Sequence, residues 1–92
     1  MVSKSQKDRA WSKAKRIPGK SPSKYRKDAY GNTLCYSSYG KNSPMGWEVD
    51  HIKPKSRGGS DSTMNLQALK TRVNRSKGAD QRKRSRHSKS NR

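Results

Sequence analysis

The chain has no phenylalanine, a single cysteine and only six acidic residues. Hydrophobic residues make up 25% of it, and no long apolar run is among them. Each shortage removes a class of answers. Cys35 alone cannot close an intramolecular disulfide or complete a thiolate zinc site, so no structural zinc is expected. Without a long apolar segment or a clear amphipathic basic helix, no membrane association is expected. So little apolar material in 92 residues supports one small domain at most. Burial must offset the conformational entropy of ordering the chain, which leaves about 50 or 60 residues expected to be ordered, with basic tails. The polar N-terminus lacks the apolar run of a secretory signal. An intracellular location is therefore expected, in the cytoplasm or nucleoid, or in a host cell if the protein is phage- or virus-encoded.

What the chain has instead is positive charge: 24 Lys plus Arg give a formal net charge of +18. A sign balance this one-sided points to a polyanionic partner, whose counterions are released on binding. A charged surface kept for solubility rarely needs a single sign. The expected partner is nucleic acid or another polyanion.

Along the chain, residues 1–24 read as a basic N-terminal arm. Ser5 to Arg16 fits either a short helix or a disordered segment, with Trp11 and Ile17 as apolar anchors and Pro18-Gly19 as the break. Ser21-Pro22 resembles a helix start, with two turns from Lys24 to Tyr30. Thr33 to Tyr39 and Trp47 to Ile52 read as strands, the second the clearer. Asp61, Ser62 or Thr63 can cap a helix from about Asn65 to Lys77, in which Leu66, Leu69 and Val73 form one narrow apolar face and Gly78 is the stop. Residues 79–92, with Arg82, Lys83, Arg84, Arg86, Lys89 and Arg92, read as a disordered polycation that binds phosphates without reading sequence.

Between these elements lies a small set of residues suited to one chemistry. Hydrolysing a phosphodiester requires an activated water and cover for the charge on phosphate and leaving oxygen. A divalent ion supplies the cover. A neutral imidazole takes the water's proton. Mg2+ (or Mn2+) prefers oxygen ligands and keeps several waters, so one carboxylate and one amide suffice as protein ligands. His51, Asp50 and Asn74 match these roles. Taken singly, each has a plainer explanation: a surface or core histidine, an aspartate paired with lysine, a solvated helix residue. Their joint spacing, with Gly58-Gly59 between them, sets them apart. Strict strand alternation puts Asp50 and His51 on opposite faces, so both can approach one phosphate only where the strand bends or ends. Glu48, two residues earlier, reads as an outer carboxylate or an ordinary exposed glutamate. Lys53, Lys55 and Arg57 cluster after the histidine as candidate phosphate contacts, as does Arg72.

Asp50-His51-Ile52, Gly58-Gly59, Asn65-Leu66 and Asn74 with Lys77 together resemble the HNH endonuclease motif, over Glu48 to Gly78. The resemblance implies an α+β fold: a small ββα-metal (HNH/His-Me finger) domain, here over residues 25–78, with short flanking helices. It implies His51 as general base and Asp50 and Asn74 as metal ligands. It implies Asn65 as the brace of the hairpin loop, and Lys77 and Arg75 near the scissile phosphate. The chain departs from many relatives in lacking paired CxxC knuckles, since Cys35-Tyr36-Ser37-Ser38 keeps one sulfur. Tyr30, Leu34, Tyr36, Tyr39 and Trp47 packing on Leu66, Leu69 and Val73 are expected to replace that support. Asn74 in place of histidine favours Mg2+ over a softer ion.

The expected function is a metal-dependent HNH-type DNA endonuclease. The alternative is a non-catalytic basic nucleic-acid-binding module with the same fold. A packaging protein is disfavoured because the middle of the chain is not repetitive. No reading domain accompanies the site, so specificity would come from a targeting or packaging partner or be absent.

Overall fold

In a computed structural model, which describes residues 2–83, the chain forms seven elements. They are helix α1 (Lys4–Lys13), strands β1 (Lys15–Arg16), β2 (Tyr25–Lys27), β3 (Thr33–Cys35), β4 (Trp47–His51) and β5 (Leu66–Lys70), and helix α2 (Thr71–Lys83). β1, β2 and β3 make one antiparallel sheet in that order, and β4 and β5 make a second. The architecture is α+β, with a ββα unit of β4, β5 and α2. No described helix is long and apolar enough to cross a membrane.

α1 begins where its sequence can cap it. Ser3 Oγ accepts from the Gln6 amide at 3.1 Å, and Gln6 Oε1 accepts from the Ser3 amide at 2.8 Å. These reciprocal bonds satisfy two of the donors a helix start leaves open. The helix buries Ala10 and Trp11 against the hairpin, so the N-terminal segment contributes to the core.

With no phenylalanine, the core is built from tryptophan and tyrosine. Trp11 and Trp47 lie 4.9 Å apart between ring centroids, with Tyr36 edge-on to Trp11 at 5.3 Å and Tyr39 edge-on to Trp47 at 4.9 Å. Both indoles place their polar tip: Trp11 Nε1 donates to the Pro22 carbonyl at 3.0 Å and Trp47 Nε1 to the Tyr36 carbonyl at 3.2 Å. Leu34, Val49, Leu66 and Ala68 complete the cluster. Aromatic rings thus supply large burial per residue in a chain with few apolar residues.

The two sheets are joined by one carboxylate. Asp28 is 1% exposed. Its Oδ1 accepts from the amides of Tyr30 and Asn32, and its Oδ2 from Asn32 Nδ2 and from the Lys70 amide at 3.0 Å. A buried carboxylate is tolerable here because donors surround it.

Several elements differ from the sequence reading. Lys24 to Tyr30 is not helical: Tyr25–Lys27 is the central strand of the first sheet, and Ser21-Pro22 belongs to a turn. The strand expected to reach Tyr39 ends at Cys35 and gives way to a 3-10 turn over Tyr36–Ser38. Leu66 to Lys70 is strand, not the first turns of a helix, because it pairs residue for residue with β4, from His51↔Leu66 to Trp47↔Lys70. Tyr30 is exposed rather than core. Gly78 does not stop α2, which runs on to Lys83 and so includes the start of the segment read as a disordered tail. Arg84 and the remainder of that tail, 84–92, lie outside the described residues.

Candidate functional site

Alternation along β4 and β5 sorts the hairpin into two faces. Trp47 and Val49, with Ala68 opposite Val49 and Leu66 opposite His51, join the core with α1. Glu48 and Asp50, with Leu69 and Gln67 opposite, lie on the other face, where side chains of α2 meet them.

Asp50 is 7% exposed. Its Oδ2 accepts from Lys77 Nζ at 2.7 Å and from Gln67 Nε2 at 2.8 Å. Glu48 is not the ordinary exposed glutamate its position allowed: Oε1 accepts from Asn74 Nδ2 at 3.0 Å, and Oε2 from Arg75 at 3.1 Å. Among the described residues, both bonds to Asp50 fall on Oδ2 and the Asn74 bond falls on its Nδ2. Asp50 Oδ1 and Asn74 Oδ1 remain as acceptors. Two hard oxygens, one anionic and one from an amide, suit a divalent ion that retains water. Among the described residues no three His, Cys, Asp or Glu gather into a metal-binding group. Cys35 Sγ instead lies 3.3 Å from Ser37 Oγ.

His51 is the last residue of β4, and by alternation it lies on the side of Trp47 and Val49, away from the α2 face. Nε2 lies 2.7 Å from Asp61 Oδ1, while Lys55 Nζ lies 3.2 Å from Asp61 Oδ2. The bond from His51, then that from Lys55, holds the Asp61 carboxyl below its ordinary titration range. An ionised carboxylate only accepts, so the bond puts the ring proton on Nε2 and leaves the lone pair of a neutral ring on Nδ1. Asp61 entered the sequence reading only as a helix cap. Nothing in its spacing announces the pairing, which depends on the path of the loop.

Asn65 holds that path. Its Oδ1 accepts from the Lys53 amide at 2.7 Å, and its Nδ2 donates to the carbonyls of Lys53 at 3.0 Å and Ser60 at 2.8 Å. The Ile52 amide donates to the Asn65 carbonyl at 2.8 Å. The glycines make the turn possible in different ways. Gly58 sits at φ +86°, in the left-handed region, whereas a Cβ on Gly59 would lie 1.8 Å from the Lys53 carbonyl oxygen. From the far side α1 ties down the loop exit, with Arg9 donating to Thr63 Oγ1 at 2.8 Å and Lys13 Nζ to the Leu66 carbonyl at 2.6 Å.

The structure thus brings Asn65, the glycines and His51 into one loop base, and Asp50, Asn74 and Lys77 onto one face. The side chains of Asp50 and His51 do not share a partner; they diverge as alternation requires. Of the expected phosphate contacts, Lys55, Arg75 and Lys77 pair with Asp61, Glu48 and Asp50. Arg72 meets Asn42 Oδ1 at 3.4 Å. Lys53 and Arg57 are exposed and have no acidic partner among the described residues. Arg82 and Lys83 lie in the last turn of α2.

The family model described as HNH endonuclease matches residues 33–80, just over half of the chain. No curated protein and no solved structure was matched.

Proposed function

The chain belongs to the HNH endonuclease family, and from that premise we propose that it hydrolyses phosphodiester bonds of duplex DNA, with His51 as general base and one divalent ion. Domains of this family act on nucleic acid and use a divalent metal. The observation that carries the reading is the His51–Asp61 bond at 2.7 Å. It fixes the ring and leaves Nδ1 to take a proton from an attacking water. Asp61 acts as a positioning residue, and Asn65 keeps the loop that carries it closed on the end of β4.

Asp50 and Asn74 would hold the ion through their Oδ1 atoms. When bound, the ion supplies charge cover for the phosphate and the leaving oxygen. Mg2+ or Mn2+ suits these oxygens. Gln67 orients Asp50, and Glu48 orients Asn74 by accepting from its Nδ2. Lys53 and Arg57, both exposed, would meet backbone phosphates, which set register without reading sequence.

One observation favours a second reading, a non-catalytic nucleic-acid-binding module. Lys77 already balances the Asp50 charge. Incubation of supercoiled plasmid with Mg2+ or Mn2+, against EDTA and against the His51→Ala protein, separates the two. Nicking or linearisation that needs both metal and His51 supports the enzyme; binding without conversion of the plasmid supports the module.

A further inference from the structure

β1 and β2 pair in a register that sets cation against cation: Lys15 faces Lys27, and Arg16 faces Arg26. Directly opposed residues on an antiparallel ladder have Cβ atoms about 4.5–5.5 Å apart, and like charges there destabilise the pair. One of the four has an internal use. The Arg26 guanidinium donates to the carbonyls of Pro22, Ser12 and Ala14, closing the end of α1. Lys15 and Lys27 have no such use. Among the described residues neither meets a carboxylate. The adjacent Asp28 is buried, with both oxygens already accepting.

The two lysines are also placed. With Lys13, Asp28, Ile52, Gln67 and Ala68 they line a cavity of about 190 Å3, in which the Asp28 oxygens are already taken by four donors. A water occupies about 30 Å3 of liquid, so the space admits several waters or a phosphate group with its hydration. Ile52 follows His51 directly, and Gln67 donates to Asp50. The cavity therefore borders both halves of the candidate site. Lys15 and Lys27 precede the family-matched segment, which starts at residue 33.

We propose that the facing lysines of β1 and β2, Lys15 and Lys27, form a phosphate-binding subsite for the nucleic-acid backbone beside the candidate catalytic edge. A bound phosphate relieves the repulsion that the ladder otherwise carries. The ligand class rests on the nucleic-acid reading above; the lysine pair and the cavity stand without it.

The experiment measures binding in a background that cannot cut. Labelled duplex DNA is titrated with His51→Ala protein in EDTA over a series of salt concentrations. The same protein carrying Lys15→Gln with Lys27→Gln is compared with a control of equal charge change, Lys20→Gln with Lys41→Gln. Two lost phosphate contacts should flatten the slope of log affinity against log salt by about 1.8, or about 0.9 each. The control should flatten it by less than half as much. A second variant, Lys27→Glu, turns a like pair into an opposite one, so it should raise the melting temperature while weakening binding. An unchanged slope in the lysine pair, or equal flattening in the control, overturns the subsite. So does tighter or equal binding by Lys27→Glu. A plasmid that stays uncut in the assay above would sink the enzyme reading and leave this measurement intact.

Discussion

The two faces of the β4–β5 hairpin share one backbone and do opposite work. Toward α1 lie Trp47, Val49, Leu66 and Ala68, with relative exposures of 8% or less. Toward α2, Glu48 meets Asn74 and Arg75, and Asp50 meets Lys77, while Gln67 donates to Asp50 from the neighbouring strand. Burial of large aromatic surface on the first face stabilises the hairpin enough for the second to hold a nearly buried carboxylate. That carboxylate is stabilised only if its partners stay in place. The division teaches that strand parity separates the core residues Trp47 and Val49 from the carboxylates Glu48 and Asp50, while His51 keeps the parity of the core and is freed from it by the end of the strand. Substitutions one residue apart should therefore have different consequences.

The largest effect should come from the apolar face. Trp47→Ala removes a fully buried indole, a change that typically costs about 3–5 kcal/mol. Small domains have only a few kcal/mol in reserve, so thermal melting followed by circular dichroism should find the variant mostly unfolded. A cooperative melt near that of the wild type would mean that the core lies elsewhere.

His51 comes next, at the point where the apolar face runs out into the loop. His51→Ala should lower the plasmid cleavage rate by about 10²- to 10⁴-fold, the usual contribution of a general base, with the melting temperature nearly unchanged. Wild-type cleavage by a preparation free of other nucleases would remove His51 from the chemistry.

The polar face should give the reverse of Trp47: lost ligand binding in a folded protein. Asp50→Asn keeps the shape and the acceptor for Gln67 but removes the charge. It and Asn74→Ala should each weaken Mn2+ binding by about 10-fold or more in calorimetric titration, comparable with the effects of perturbing metal-site partners elsewhere. Lys77 is 28% exposed on its side chain and can turn to water when its partner's charge is lost. Unchanged affinity in both variants would move the ion to other residues.

The smallest effect belongs to Asp61. Asp61→Ala should lower kcat by about 10-fold with KM unchanged, and Asp61→Asn by less, because an amide oxygen can still accept from Nε2–H. A change confined to KM would count against positioning. Its pH signature has a definite sign. The folded carboxyl is held below its ordinary range, so its stabilising contribution is present above that range and disappears as pH falls through the depressed value. The melting-temperature difference between wild type and Asp61→Asn should therefore shrink toward zero in acid. A constant difference would show that the pairing does not depend on the carboxylate charge.

Much of the loop around His51 was legible in the sequence. Asp50-His51 at a strand end, Gly58-Gly59 and Asn65 are local features, and local features survive folding. β5 was not, because Leu66-Gln67-Ala68-Leu69 satisfies both a helical and an alternating pattern. Pairing with β4 decides between them, and that is a tertiary effect. Tyr25–Lys27 was misread for a related reason: three residues carry too little periodicity to outweigh a helix-start signal beside them. Asp28 gave no warning at all. Asp28-Ala29-Tyr30 reads as the end of the expected helix, and the distant donor, the Lys70 amide, is 42 positions away.

Trp11 and Trp47 are the chain's only tryptophans, and their rings nearly touch. All indole emission from this protein therefore arises at one spot, the junction of α1 with β4. Two chromophores this close couple their excited states, so near-ultraviolet dichroism will carry a paired signal that exists only while the helix stays docked. A melt of the native protein followed by indole emission will report that docking. A loosened loop around His51, or a frayed α2, will leave it unchanged.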